Sequence, residues 1–190
     1  MKPRSNLALA LIMLLSATTV SATDLTVNFT ATIKETTCAI KVSAIGGANL
    51  SGNSAANDYY LDFPTMGVSD ISNKSALTEA SFKLTPTDCN NEIASIVITI
   101  GGASTADSSR LLTNDNTSSG DASHIGVGFR RMNEDDTQRF TLDGTTHTNW
   151  TRDEIINGLQ LTGVIRQTTT ASDITPGAFQ AKATFVFTYN

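Results

Sequence analysis

Apolar and polar residues alternate along many short segments of this 190-residue chain. The most regular alternation lies in the stretch from residue 23 to residue 38. From residue 25 to residue 33 the odd-numbered positions are apolar and the even-numbered positions are polar, which is the period of two expected of a β-strand with one buried face. The apolar positions are Leu25, Val27, Phe29, Ala31 and Ile33.

Similar but shorter runs follow, each bounded by Gly, Asn, Asp, Ser or Thr. They predict strands at residues 39–44, 59–63, 81–85, 93–100, 125–132, 138–142, 160–166 and 180–189. Small polar residues fill the segments between them, for example 46–57 and 113–123, and such residues favour turns. Short strands at this spacing predict an all-β sandwich.

One short helix is predicted at residues 151–158. Thr151 and Glu154 match the capping-box pattern that begins a helix, and Gly158 can end it. No internal repeat and no linker divides the chain after residue 22, so we expect one domain there.

The first 22 residues have the features of a secretory signal peptide. Lys2 and Arg4 precede an apolar run of nine residues, 7–15, and small residues end the segment at Val20-Ser21-Ala22. A membrane anchor is the alternative, but nine apolar residues are well short of the roughly 20 that span a bilayer. We therefore expect residues 1–22 to be removed on export.

The charge disfavours nucleic acid as a partner. Removing Lys2 and Arg4 from the 13 basic residues leaves 11 against 18 acidic residues, a formal net charge of about −7. A surface of that sign repels phosphate backbones, so no nucleic-acid binding is expected.

Two cysteines, Cys38 and Cys89, lie in a chain routed to an oxidising compartment, where a disulfide can form and persist. Closing a loop of that length, 89 − 38 = 51 residues, contributes about 4 kcal/mol in the chain-entropy model. A two-cysteine metal site is the alternative, but close CxxC spacing and nearby histidines are missing. The prediction is one disulfide.

The sequence offers no pattern for catalysis, a metal or a cofactor. His124 and His147 stand in no H-E-x-x-H pattern, and neither a G-x-S-x-G elbow nor a phosphate-binding glycine loop is present. A loose calcium-loop pattern from Asp115 has Gly126 where glutamate is required. The acidic segment 133–137 is predicted to be a solvated polar turn.

The two ends of the chain after residue 22 complement each other. Near the C-terminus, Phe185, Phe187 and Tyr189 alternate with Thr184, Val186 and Thr188 up to the last residues, so the final predicted strand leaves no residues for a further one. An immunoglobulin-like sandwich would have that further strand. The domain is thus predicted to be one strand short at its C-terminus, with a spare strand at its N-terminus.

Several motifs occur together in a fixed order. They are the signal peptide, the alternating arm ending in Cys38, the segment FKLTPTDCNN with Cys89, the TLDG of residues 141–144, the TPGAFQAKATF of residues 175–185, and the penultimate Tyr189. In this order the chain resembles the subunits of bacterial fimbriae assembled by the chaperone-usher pathway, the type 1 pilin family.

The resemblance implies an incomplete immunoglobulin-like β-sandwich that lacks its last strand and is completed in trans by the arm of another subunit, which is donor-strand complementation. The arm would be residues 23–37 and the pilin domain residues 38–190. The donor side chains implied by the match are Leu25, Val27, Phe29, Ala31 and Ile33. Relatives usually carry glycine at the position of Ala31.

The resemblance also implies the partners. They are neighbouring fimbrial subunits as donor and acceptor, a periplasmic chaperone and an outer-membrane usher. Phe185, Phe187 and Tyr189 would line the groove, and the carboxylate of Asn190 would sit against basic residues of the chaperone. The implied function is that of a structural subunit, not an enzyme, in a fimbrium that reaches the cell surface through the periplasm and supports cell adhesion.

Three other interpretations stay open at this point. The arm could be the first strand of its own sheet, or it could fold back into its own groove and give a monomer unable to polymerise. Alternatively, the chain could be a minor tip subunit that binds a host carbohydrate near Trp150, where Asn149 and Asp153 flank an aromatic ring. Packing of Trp150 in the core is the favoured interpretation of that residue.

Overall fold

A computed structural model describes residues 23–33, 38–53, 55–89 and 93–190, the first of these as backbone. The predicted signal peptide, residues 1–22, lies outside the described residues. The described chain forms two six-stranded sheets that pack face to face. The predicted all-β sandwich is therefore confirmed.

The first sheet contains the arm. In order across the sheet, its strands are β10 (Thr148–Asn149), β6 (Ile96–Gly102), β12 (Phe179–Tyr189), β1 (Thr23–Ile33), β4 (Asp58–Met66) and β3 (Asn49–Asn53). β1 and β12 pair in parallel, whereas the other strand pairs formed by the described residues are antiparallel.

The second sheet closes the other side of the core. Its order is β2 (Ala39–Ile45), β5 (Glu79–Thr87), β11 (Leu159–Gln167), β9 (Ile125–Arg131), β8 (Ser108–Leu112) and β7 (Ser104–Thr105). Two short helices, α1 (Val68–Ser72) and α2 (Arg152–Asn157), and two 3-10 turns, Ala76–Thr78 and Asp136–Gln138, connect the strands.

Alternating apolar residues of both sheets fill the space between them. Phe82 from β5, Phe129 from β9 and Phe185 from β12 are fully buried and meet edge to face, with ring centroids 5.3–6.2 Å apart. Edge-to-face packing is a favourable arrangement of aromatic rings. This aromatic cluster joins the two sheets at the centre of the sandwich.

The cysteine prediction is confirmed. A disulfide links Cys38, directly before β2, to Cys89, just after β5, and the two Cα atoms are 4.1 Å apart. Because β2 and β5 are neighbours in the second sheet, the bond closes the end of that pair.

The helix prediction is also confirmed. The side chain of Thr151 accepts a hydrogen bond from the Glu154 amide at 3.2 Å, and the Glu154 carboxylate accepts one from the Thr151 amide at 2.6 Å. These reciprocal bonds satisfy amides that an open helix start would leave unpaired. Gly158 then ends α2 with a positive φ of 91°.

Some strand predictions are wrong. Residues 138–142 are predicted as a strand but form the end of a 3-10 turn and an irregular segment. Their alternation arises because Phe140 and Leu142 both enter the core, while their amides bond to the carbonyls of Phe129 and Ser109 without a continuous ladder. Conversely, β3 and β8 lie in segments predicted as loops, since neither sequence carries apolar alternation: β3 is mostly exposed, and β8 has polar residues at 108–110 before two adjacent buried leucines.

Candidate functional site

The arm lies in a groove of the first sheet, between β12 and β4. Along β12, the backbone register runs from Leu25 opposite Phe179 to Ile33 opposite Phe187. Along β4, Leu25 stands opposite Phe63 and Phe29 opposite Tyr59. β1 thus pairs along both of its edges and occupies the place between two strands that would otherwise be open to a further strand.

Residues on the core-facing side of the two groove strands alternate with outward-facing ones. The buried positions are Phe179, Ala181, Ala183, Phe185 and Phe187 on β12, and Tyr59, Leu61 and Phe63 on β4. Positions opposite one another in neighbouring strands share a face of the sheet. The odd-numbered positions of β1 are therefore in register with the core-facing positions of the groove, and the assignment of those five residues as donor side chains stays a prediction.

The buried β12 residues vary in size along the groove. Two small residues, Ala181 and Ala183, lie between the larger Phe179 and Phe185. In register, the two alanines stand opposite Val27 and Phe29, whereas Phe185 stands opposite Ala31. At three successive register positions, a larger residue in one of the two strands, β1 or β12, thus stands opposite an alanine in the other.

The occupant of the groove belongs to the same chain. The sequence predicts completion by a strand from another subunit and leaves open an arm that folds into its own groove. The backbone of β1 has the second arrangement. Completion in trans stays a prediction.

The last residues of the described chain are fixed against β6. Tyr189 pairs with Ile96, and the main-chain oxygen of Asn190 accepts hydrogen bonds from the amides of Ala94 and Ser95, both at 2.8 Å. Burial raises the pKa of Tyr189 to about 12, and its hydroxyl has no hydrogen-bond partner within the described part of the chain. Phe185 and Phe187 are fully buried, whereas Asn190 is exposed.

The carbohydrate site predicted as an alternative around Trp150 is wrong in its central feature. Only 5% of Trp150 is exposed, and its ring packs edge to face against Phe187 at 6.1 Å. A ring buried in this way offers no face for a sugar to stack on. Core packing, the favoured interpretation of this residue, is confirmed.

A charged network on the outer face of the second sheet was not anticipated from the sequence. Arg130 on β9 and Arg166 on β11 both donate to the carboxylate of Glu79, and Arg166 also donates to Asp136. Both arginines are at least nine-tenths buried. The prediction that residues 133–137 form a solvated turn is wrong for Asp136, because its side chain is only 17% exposed.

A signal for this network was present in the sequence. Arg130 directly follows the apolar Phe129 and Arg166 directly follows the apolar Ile165, so each lies within a predicted strand where a buried charge needs a partner. The partners are distant in the chain, so the pattern alone could not name them. Both histidines, in contrast, are exposed as expected of scattered surface residues.

The described residues form an all-β sandwich in which β1 lies between β12 and β4, and comparison with known proteins gives the family. Residues 27–190 match the family described as fimbrial protein. The uncharacterized fimbrial-like protein YadM of Escherichia coli strain K12 is 36% identical over 179 residues, which cover 93% of this chain and 92% of the relative. The chain therefore belongs to the fimbrial protein family.

Family membership has direct consequences for function. It points to a structural, non-enzymatic subunit of a surface appendage that associates with other fimbrial subunits. None of the helices within the described ranges is long and apolar enough to cross a membrane.

Proposed function

We propose that the chain is a structural subunit of a chaperone-usher fimbria and that it polymerises by donor-strand complementation, supporting cell adhesion. Residues 1–22 act as its signal peptide, residues 23–37 as its donor arm and residues 38–190 as its pilin domain. Leu25, Val27, Phe29, Ala31 and Ile33 are the donor side chains. The observation that carries the proposal is the register of β1, which pairs with β12 and β4 on both edges.

The energetics support a non-covalent link of high stability. Burying four sizeable apolar side chains at about 1.5–3 kcal/mol each gives on the order of 6–12 kcal/mol before the main-chain bonds are counted. Ordering the arm takes part of this back. An empty groove would expose the buried faces of β12 and β4, so the unpaired alternative is costly for the acceptor.

In this proposal the groove has three successive occupants. The chain's own arm is one of them, and it must leave before the arm can enter a neighbour. A periplasmic chaperone lends a strand beside Phe185, Phe187 and Tyr189 and binds the carboxylate of Asn190, after which the arm of another subunit replaces the chaperone at the outer-membrane usher. Exchange of one paired strand for another keeps the groove covered throughout.

The test uses full-length chains that differ only in the face of β1 that is altered. Val27→Asp with Phe29→Asp places two charges in register with the core-facing positions, whereas Thr26→Asp with Asn28→Asp places them on the other face. We expect the first variant to unfold at a lower temperature than the second. A synthetic peptide of residues 23–34, TDLTVNFTATIK, should raise its thermal midpoint by about 6–12 °C.

Polymerisation needs a donor from another chain. A tagged wild-type chain mixed with the Val27→Asp, Phe29→Asp acceptor should give a dimer that survives size exclusion. Equal stability of the two variants, with no response to the peptide, would mean that no groove depends on these residues. Binding of the peptide without any dimer would mean that the arm serves its own chain only, and the polymerisation mechanism would then be wrong.

A further inference from the structure

The charged network contains more cations than anions. We define the arginine cluster as Arg110, Arg130, Arg139 and Arg166. Arg130 and Arg166 lie on the outer face of the second sheet, and Arg110 lies on β8 of the same sheet. Asp136 is its hub, since its carboxylate lies within 4.0 Å of Arg130, Arg139, Arg166 and Lys74. Glu79 is the second carboxylate in contact with the arginine cluster, and it pairs with Arg130 and Arg166. Four cationic side chains, Lys74 and three of the arginines, thus share two carboxylates.

Arg139 is the least satisfied member of the cluster. Its Nη1 lies 3.6 Å from the Asp136 carboxylate, which is an ion-pair distance beyond the range of a hydrogen bond. Its Nε is buried and has no acceptor within the described ranges, and the same holds for Nε of Arg130. A buried guanidinium nitrogen without an acceptor is costly, so these atoms favour an additional anionic or polar partner.

The electrostatics agree with this geometry. Burial lowers the pKa of Arg139, and the charges of Arg166, Arg110 and Arg130 lower it further, although Asp136 acts in the opposite direction. The positive charges therefore repel one another in a chain whose formal net charge is −5.

The cluster is held in place by its surroundings. The stem of Arg139 passes over Gly128, where an added Cβ would come within 2.7 Å of its Cδ. Arg110 donates to the main-chain oxygen of Thr137 at 2.5 Å. Arg130 donates to the main-chain oxygens of Met132 and Glu134. Side chains held in this way lose little freedom when a ligand binds.

A shallow cavity of about 410 Å³ opens beside the cluster. Lys74, Arg130 and Arg166 line it together with the acidic residues Glu79, Asp135 and Asp136, and Lys74 has 60% of its side chain exposed. Arg110 is exposed and contacts the 3-10 turn around Asp136 at the main-chain oxygen of Thr137. An anion can therefore reach the cluster from solvent.

We propose that the arginine cluster, with Lys74, binds a tetrahedral oxyanion, either as a free ion or as a sulfate or phosphate ester carried by a saccharide. Guanidinium groups suit such ligands because their fork of donors matches two oxygens at once. The site is independent of the groove, since Arg110, Arg130 and Arg166 lie on strands of the second sheet, whereas β1 and its neighbours β12 and β4 belong to the first.

The test uses the full chain and inorganic sulfate as the probe. Sulfate should raise the thermal midpoint and give a saturable titration by calorimetry, with chloride keeping the ionic strength constant. Arg139→Gln should weaken binding at least tenfold, and Arg110→Gln, at an exposed position that is less critical for folding, should weaken it several-fold. The control Arg152→Gln removes an exposed arginine on α2 and should bind sulfate like the wild type.

A sulfated and an unsulfated form of one disaccharide distinguish a free oxyanion from an ester group carried by a saccharide. Tighter binding of the sulfated sugar than of sulfate would assign the ester group as the ligand, and equal affinities would assign the free ion. A thermal shift with sulfate no larger than that with chloride would overturn the proposal. Equal losses of sulfate affinity in Arg110→Gln and Arg152→Gln would overturn it too, and water would then be the partner of Arg139.

Discussion

Among single residues, Asp136 is a carboxylate that forms ion pairs with four cationic side chains. Burial disfavours its charged form, but hydrogen bonds and charge from Arg166, together with Arg139 and Lys74, outweigh this and lower the pKa of the carboxyl below its ordinary 3.8. A carboxylate with a lower pKa in the folded chain stabilises the fold above pH 3.8, and this contribution is lost as the pH falls through the folded-state pKa.

The variant Asp136→Asn should therefore be destabilised at neutral pH and less sensitive to acid. We expect a loss of about 2 kcal/mol in the free energy of unfolding, since the remaining arginines would be only partly balanced by Glu79 and the site is not fully closed to water. Urea unfolding from pH 7 to pH 2 measures both effects. Asp107→Asn, at an exposed position, is the control and should follow the wild-type curve. A wild-type slope in Asp136→Asn would contradict the assigned role.

Among the elements, those with one buried face could be predicted and those without could not. β5, β9, β11 and β12 alternate in sequence because one face of each packs on the core, and the alternation of β1 predicted a strand in the same way. β3 is a strand through its pairing with β4, and its sequence is mostly exposed. β8 has two buried residues, Leu111 and Leu112, but these are adjacent, so its sequence does not alternate. The alternation of β12 up to the last residues predicted a groove beside that strand. It could not predict that β1 of the same chain occupies the groove, because pairing between two strands leaves no trace in the periodicity of either.

The small residues of β12 set the depth of the groove, which gives a prediction for β1. Ala183 is fully buried and stands opposite Phe29, so Ala183→Leu should crowd this position at a cost of about 1–3 kcal/mol. We expect amide hydrogen exchange in β1 to accelerate about 5-fold to 150-fold while the second sheet keeps its protection.

Lys182→Leu is the matched control, because it places the same side chain on the exposed face of the same strand. Its exchange in β1 should equal that of the wild type. Unchanged exchange of β1 in Ala183→Leu would show that the groove can widen at this position, and equally accelerated exchange in both sheets would show that the residue supports the fold rather than the groove.

At the scale of the whole molecule, the disulfide ties the exit of the arm to the core. The bond joins Cys38 and Cys89, which enclose a sequence separation of 51. Cys38 is 1% exposed and follows the arm after the short segment 34–37. The compartment and the spacing predicted this bond, but its placement at the end of the β2–β5 pair required the fold.

Replacing both cysteines should destabilise the whole domain. In the chain-entropy model, opening a loop of this length removes about 4 kcal/mol from the free energy of unfolding. With a urea m-value of about 2 kcal/mol/M, the unfolding midpoint of Cys38→Ala, Cys89→Ala should fall by roughly 2 M. The wild-type chain under reducing conditions should fall by a similar amount, whereas Cys38→Ser, Cys89→Ser should fall further because a serine hydroxyl would replace a buried sulfur.

The m-value decides how this loss is interpreted. An unchanged m-value with a lower midpoint would mean that the domain still unfolds as one unit, so the bond acts on the unfolded chain. A reduced m-value would mean that β2, an edge strand held mainly by β5, separates first once the bond at its end is gone. In that case the disulfide keeps the edge strand β2 paired in the second sheet. Without the bond, the arm would be attached to a strand that has separated from the folded domain.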